Sequence, residues 1–528
     1  MFKQFIKKKY KKYKIHKKYK QNNQNFDFIH ELLIDFQNYK NFNFKINKPK
    51  NFSSSDVDTL VKQFTISNIF GQLSTWDFYW QVAEFKSNNN YKVVLPAPFN
   101  ILKYINSKNI RVNYFFSISK FFLIKFKYFI RAFFFGLKIL VTSLANSNSS
   151  ISNVPYVYVF NINKDAIPNN EKDFNYLNWI KYYLSDNKKI IQNNFKLQTN
   201  KDFNIQYHNY IFPSPIGISC FLSFLIFYLK NIIVCFFKIF HINDIDNFFL
   251  KDIFKDKLID LCSDSKLADK YFFNNVSRNY RPIWTFNNKI NNKVNFIFYG
   301  LNEFPISFYN SKNTLNNVGW DLMNWPSYVS WNKSFTNYLH KSFTKPFTYN
   351  IFDEPVWYRD SSDEMDLSFK SNGLITIALY DVSPVRKSLN YPWTKRSSYI
   401  NSSKNVIKFY TDILSLQIKY KFNILIKTKK NHGYKTDKNY AFFIKKIAKS
   451  SNMIFITSQN KSPKLINKEV NAIISYPFTS AAYFNDKNIP SIYYDPTASI
   501  DINKQINFGV STINRISDLE KWILKIIN

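Results

Sequence analysis

A chain of 528 residues carrying 73 Lys and Arg against 36 Asp and Glu, net charge +37, exceeds what one hydrophobic core serves, so two domains are expected. Three cysteines with no C-x-x-C spacing exclude a disulfide framework and indicate a reducing compartment, the cytoplasm by default. The charge favours anionic ligands such as nucleotide diphosphates and acidic lipid headgroups. Tyr 36 and Phe 56 beside only 8 Gly also mark an AT-rich coding sequence, which weakens charge as an argument for nucleic acid.

Met1 to Lys20 holds ten Lys and no apolar run, so it is not a secretory signal. Residues 1–25 read as a basic tail, either solvated or tethered to anionic lipid at about 1 kcal/mol per Lys. Residues 26–365 read as an N-terminal α/β lobe, with predicted strands at Tyr91–Leu95, Tyr156–Asn161 and Val294–Tyr299. Asp186–Asp202 and Asn310–Asn317 are polar and read as loops. Phe115–Val141 contains Lys120, Lys125, Lys127, Arg131 and Lys138; it is too charged to span a bilayer but suits a basic amphipathic helix pair at a membrane surface. Ile216–Phe237 is interrupted only by Lys230 and reads as a span, an interfacial helix or a buried core helix.

Residues 366–528 alternate between strand and helix. Strands are expected at Leu374–Tyr380, Phe422–Ile426, Met453–Thr457, Val470–Ser475 and Ser491–Tyr494, and helices at Asn405–Tyr420, Asn439–Lys449 and Ser517–Ile527. Short links between them imply βαβ units and a parallel, Rossmann-like sheet. After Val470–Ser475, Pro477 blocks the strand, and Thr479 and Ser480 are natural N-cap residues for a short helix. Its free N–H groups would face the carboxyl edge of the sheet, where such sheets bind ligands and phosphate is favoured.

The Pro477-Phe478-Thr479-Ser480 tetrapeptide, with Ser-Ile-Tyr-Tyr-Asp495-Pro496 closing the next strand, resembles the bacterial polysaccharide biosynthesis proteins that carry a PFTS motif. Arg281-Pro-Ile-Trp-Thr-Phe286 and Gly319-Trp-Asp-Leu-Met-Asn-Trp325-Pro326 are similar to that family too, so the likeness runs over roughly 270–510. More loosely the chain resembles GT-B glycosyltransferases. The resemblance implies two Rossmann-like lobes and transfer of a sugar from a nucleotide-sugar donor to a glycan or lipid-linked acceptor. The net charge and the basic amphipathic stretch make an anionic membrane surface a further expected partner, with a peripheral position on the inner face of the cytoplasmic membrane.

A sugar-nucleotide transferase needs a cradle for two phosphates. Besides Pro477, Phe478, Thr479 and Ser480, the candidates for donor binding are Asp381, Ser383 and Arg386 after the first strand of the lobe, Lys427 after the second, and Asp495. Arg386 has the planar fork that suits two phosphate oxygens. Lys427, Lys429, Lys430 and His432 echo a Lys-Pro-His loop of glycosyl and glycerol-phosphate transferases, without the proline. His432 and Glu354 are the candidates for catalysis, with Asp77, Glu303, Asp321 and Asp353 as further carboxylates. Each has an ordinary alternative: a helix cap, a solvated surface cation, or an Asp-Pro turn. No histidine pair has metal-ligand spacing, and Asp56-Val-Asp58 and Asp244-Ile-Asp246 end no predicted strand, so no metal or other cofactor is expected. Neither a Walker A sequence, a G-x-G-x-x-G nor a G-x-S-x-G elbow is present, which removes support for nucleotide hydrolysis, dinucleotide redox chemistry and serine hydrolysis. The competing readings are a polyol-phosphate (CDP-glycerol-type) transferase and a noncatalytic basic protein binding membrane or nucleic acid.

Overall fold

The computed structural model describes residues 28, 31–36, 39, 54–66, 81–82, 84–85, 90–145, 156–160, 180, 189–192, 205–207, 217–273, 281–298, 322–330, 333–342, 347–351, 373–384, 400–427, 436–451, 453–456, 466, 470–477, 489–502 and 510–528. Their strands form two sheets, parallel throughout. The first orders β3-β2-β1-β4-β5-β6-β7, with β1 Tyr156–Val159, β2 Lys189–Gln192, β3 Ile205–Tyr207, β4 Lys270–Phe273, β5 Val294–Ile297, β6 Ser327–Ser330 and β7 Thr348–Ile351. The second orders β10-β9-β8-β11-β12-β13, with β8 Thr376–Tyr380, β9 Asn423–Lys427, β10 Ile454–Ile456, β11 Ala472–Ser475, β12 Ser491–Tyr494 and β13 Ser511–Ile513.

Every residue of β8, β9 and β11 is buried, as expected of parallel strands covered on both faces. Alternate side chains serve two cores. Ile377 and Leu379 join the one with Phe409, Ile413 and Ile444, whereas Ala378 and Tyr380 join the one with Ile473 and Tyr493. The first core is roofed by α7 (Ser403–Tyr420) and α8 (Lys438–Ile447). Ser402 caps α7 by accepting from the Asn405 N–H, Lys421 ends it in the left-handed region at φ 54°, and Asp437 caps α8. The closing helix, α9 (Ile516–Ile527), buries Leu519 and Ile523 in the same core.

The N-terminal half has α1 (Ser54–Phe64), α2 (Phe99–Ser107), α3 (Tyr114–Ala145), α4 (Ile218–Lys238), α5 (Asp246–Leu261) and α6 (Lys333–Ser342). Phe129 and Ala132 of α3, Phe224 and Tyr228 of α4, and Leu250 and Phe254 of α5 share one core with Tyr158, Tyr271 and Phe296 of the sheet. Gly136 is where α3 and α4 meet: a Cβ there would lie 2.3 Å from the Tyr228 ring, whose hydroxyl donates to the Phe133 carbonyl at 3.1 Å. Gly136→Ala is therefore expected to destabilise by about 1–3 kcal/mol despite the better helix propensity of alanine, read as a lower urea midpoint.

Several boundaries differ from expectation. Phe115–Val141 lies within a single 32-residue helix, Tyr114–Ala145, instead of a helix pair, since nothing between its residues breaks the helical hydrogen-bond run. Tyr91–Leu95 contributes one isolated bridge, Val93 to Val112, and no strand. The polar segment Asp186–Asp202 contains β2. Asn310–Asn317 lies outside the described residues.

Asp256 on α5 accepts from the Asn287 side chain at 2.9 Å. Burial is the largest influence on it, opposed by that bond and reinforced by the charge of Asp260; the net effect raises its carboxyl from 3.8 to about 6. Because the folded value lies above the unfolded one, ionisation penalises the fold. The penalty is absent below pH 4, grows through pH 6, and is complete above it. Asp256→Asn keeps the acceptor and is expected to gain about 1–3 kcal/mol at pH 7 and nothing at pH 4, measured by denaturation at both.

Candidate functional site

The second sheet grows outward from β8 in both directions. β9 and then β10 are added on one side, and β11, β12 and β13 on the other. The strand order therefore reverses between β8 and β11, and ligands of open parallel sheets sit outside the carboxyl ends at such a switch point. Tyr380 is in register with both Lys427 and Ser475, and Ser475 with Tyr493. That alignment brings Asp381, Lys427, Ser475 to Pro477, and Asp495 to one edge. The Tyr476 N–H donates to the Tyr380 carbonyl at 2.7 Å, continuing the pairing past the last strand residues.

Asp381, 2% exposed, ties this edge together. Its Oδ1 accepts from the Ser383 N–H at 3.0 Å and from the Ser383 hydroxyl at 3.3 Å. Its Oδ2 accepts from the Tyr410 hydroxyl of α7 at 2.7 Å and from the Tyr440 hydroxyl of α8. Burial, reinforced by the Asp381 charge, pushes both phenols far above their ordinary range, so they remain donors. A carboxylate with four bonds of this kind positions the loop and the two helices. It has little capacity left for a ribose hydroxyl, and its charge would repel a phosphate.

Ser383 adopts φ +43°, a left-handed conformation that costs a residue with a Cβ about 1–2 kcal/mol. The Asp381 bonds hold it there, and the Pro384 carbonyl that follows accepts from the Asp437 N–H at 2.9 Å, joining this loop to the start of α8. Lys427, 8% exposed, ends β9 beside this loop. Burial lowers its ammonium below the ordinary lysine value, and the Asp381 charge partly restores it. An incoming anion would stabilise that charge further.

Asp495 is fully buried and belongs to its own turn. It accepts from the Thr497 N–H at 2.9 Å, the Thr497 hydroxyl at 2.6 Å, the Ser499 N–H at 3.0 Å and the Ile500 N–H at 3.1 Å. This is the turn-forming use of an Asp-Pro pair. The Ser475 hydroxyl, by contrast, is buried at the end of β11 with no hydrogen-bond partner among the described residues. Of the other expected site residues, Pro477 is described as part of a turn, whereas Glu354, Arg386, His432, Phe478, Thr479 and Ser480 lie outside the described residues. Tyr410 and Tyr440 were not legible as site residues. Each occupies an apolar-face position of its helix, and only the fold reveals that both hydroxyls meet one carboxylate.

The two Asp-x-Asp triplets serve helices. Asp58 pairs with Lys62 at 2.7 Å within α1, and Lys238 bridges Asp244 at 3.5 Å and Asp246 at the start of α5. No group of three or more metal-ligating side chains occurs among the described residues.

The chain carries two parallel α/β sheets, as expected of two Rossmann-like lobes, and the second reverses its strand order between β8 and β11. The chain belongs to the family of polysaccharide biosynthesis PFTS motif proteins, whose model matches residues 227–523. No curated protein sequence matches it. Among solved structures it is similar to the UDP-GlcNAc 2-epimerase from Neisseria meningitidis bound to UDP-GlcNAc, at 13% identity and TM-score 0.37 over 70% of this chain and 91% of that one. The apo structure of OtsA matches at 8% identity and TM-score 0.36 over 71% and 91%. TarM matches at 13% identity and TM-score 0.31 over 53% of this chain, which spans about half, 51%, of its length.

Proposed function

We propose that this protein is a glycosyltransferase of surface polysaccharide assembly, taking a nucleotide-sugar donor at the carboxyl edge of the second sheet and passing the sugar to a glycan or lipid-linked acceptor. The observation that carries this reading is the reversal of strand order between β8 and β11, with a desolvated Lys427 on one side and the PFTS segment on the other. An acceptor hydroxyl attacks the anomeric carbon, the bond to the diphosphate breaks, and negative charge accumulates on the departing group. The Lys427 ammonium stabilises that charge best where water is excluded. The Ser475 hydroxyl, buried without a partner among the described residues, is available to donate, and Thr479 and Ser480 offer further hydroxyls and N–H groups. Asp381 and Asp495 act by holding their loops. Glu354 and His432 are the candidates for the acceptor base, and the reaction proceeds without a metal. The enzyme works peripherally on the inner face of the cytoplasmic membrane, where lipid-linked acceptors are found.

Thermal shift against a panel of nucleotide sugars tests the donor, because a ligand at 100 times its dissociation constant stabilises by about 2.7 kcal/mol. Lys427→Met, and separately Thr479→Ala with Ser480→Ala, are expected to weaken that binding at least about tenfold while the unliganded melting temperature stays nearly unchanged. Stabilisation by CDP-alditols alone would transfer the assignment to polyol-phosphate transfer. Tight, salt-dependent RNA or DNA binding with no nucleotide-sugar response would overturn both.

A further inference from the structure

Helices α3 and α4 each have two apolar faces, and among the described residues only one of them is packed. They pack antiparallel: Phe129 meets Phe236, Phe133 meets Tyr228, and Lys125 donates to the Lys238 and His241 carbonyls at the far end of α4. Behind them α5 supplies Phe254 against Phe224 and Tyr228. On the opposite face of α3, Leu123, Phe126, Phe134, Leu137 and Val141 recur in steps of three, four and eight, so they lie in one stripe, and all are exposed. On α4 the same is true of Leu222, Ile226, Leu229, Ile233 and Phe237, with Ile226 at 66% and Phe237 at 67% exposure. Side by side the stripes make one apolar plate, larger than the singly scattered apolar residues usual on a protein surface.

We infer that this plate is the face by which the protein seats itself on an anionic lipid bilayer, lying in the interface without crossing it. The charge around the plate selects that occupant. Lys120, Lys127, Arg131 and Lys138, all exposed, recur at seven, four and seven residues and so form a basic row along one side of the α3 stripe. Lys230 is exposed at the border of the α4 stripe, and neither helix contains an Asp or Glu. Apolar centre and cationic border are what an amphipathic helix shows to acyl chains below acidic headgroups. α4 has the length and composition to cross a membrane. However, Phe224, Tyr228 and Cys235 are buried in the core of the first sheet, and Lys238 is bridged to Asp246, so crossing would pull that face out of the protein. The inference rests on the transferase reading only for its purpose, which is to bring the site to a lipid-linked acceptor.

The test is flotation of the full chain with vesicles of phosphatidylglycerol and phosphatidylethanolamine, and with vesicles of phosphatidylcholine alone. Native protein is expected to float with the anionic vesicles. Ile226→Ser, Ile233→Ser and Phe237→Ser together should lower partitioning at least about tenfold. Lys120→Gln, Lys127→Gln, Arg131→Gln and Lys138→Gln together should lower it by about several hundredfold on anionic vesicles and little on phosphatidylcholine. Because a lipid-tethered N-terminal tail would also cause flotation, Ile226→Trp provides a local readout: its added emission should be quenched by lipids brominated in the acyl chain. Absence of that quenching, or equal flotation of the triple variant and the native chain, overturns the inference. So does a native oligomer that the triple variant dissolves in the absence of lipid, which would make a second copy the occupant. Nucleotide-sugar stabilisation of the triple variant, measured without vesicles, shows that it is folded. Its loss in every variant and in the native chain would count against the transferase reading and leave the flotation result standing.

Discussion

Asp381→Ala is expected to cost about 3–5 kcal/mol, because it removes the acceptor that the buried Tyr410 and Tyr440 hydroxyls share, at about 1–3 kcal/mol each, and releases the left-handed Ser383. Asp381→Asn retains an acceptor oxygen and should cost less than half as much. Tyr410→Phe and Tyr440→Phe should each cost about 1–2 kcal/mol. The double variants with Asp381→Ala should then be far from additive, since the phenols have no carboxylate left to lose. Urea denaturation measures all of these. A loss below about 1 kcal/mol for Asp381→Ala would show that the carboxylate is not the tie between α7, α8 and the loop after β8.

Arg281→Ala is expected to be comparably severe, at about 3–5 kcal/mol. Arg281 is 4% exposed and its guanidinium reaches neutral acceptors: Thr285 Oγ1 at 3.0 Å, the Asn324 carbonyl at 2.7 Å, the Thr285 carbonyl at 2.8 Å and the Asn291 side chain. It also lies 3.6 Å above the Phe286 ring. Burial lowers its affinity for a proton, with the Asp56 charge opposing, so the fold sustains a costly desolvated charge for the sake of these bonds. Truncation removes the bonds and opens a cavity. Arg281→Met fills the space without a charge and should recover a large part of the loss, whereas Arg281→Lys, lacking the planar fork, should not. If all three variants melt together within about 0.5 kcal/mol of native, the clamp between residues 281–291 and 324 contributes nothing.

The second sheet was legible, β13 apart, because its central strands β8, β9 and β11 are short runs rich in Ile and Leu buried on both faces, alternating with helices whose caps are ordinary: Ser402, Asp437 and the left-handed Lys421. Those signals are local. The first sheet was only partly legible. Ser327–Ser330 and Thr348–Ile351 are too short and too polar to stand out, and Lys189–Gln192 is embedded in Asn and Lys, so pairing with neighbours far along the chain decides them. The candidate site divides in the same way. Asp381, Lys427, Ser475 and Asp495 were expected at one carboxyl edge because each ends a strand, and the strands align there. What each does depends on partners from other elements: two tyrosines claim Asp381, and the turn at Thr497 to Ile500 claims Asp495. Sequence spacing cannot supply such contacts.

β8 is the earliest strand of its sheet and also its centre, and the Thr376 N–H finds the Asn471 side chain 95 residues later. During synthesis it leaves the ribosome as a bare apolar ribbon, obliged to wait for β9 on one flank and much longer for β11 on the other. Such exposure invites capture by chaperones or clumping with other nascent chains, so slower translation at reduced temperature should raise the recovered fraction of this protein more than added ligand would.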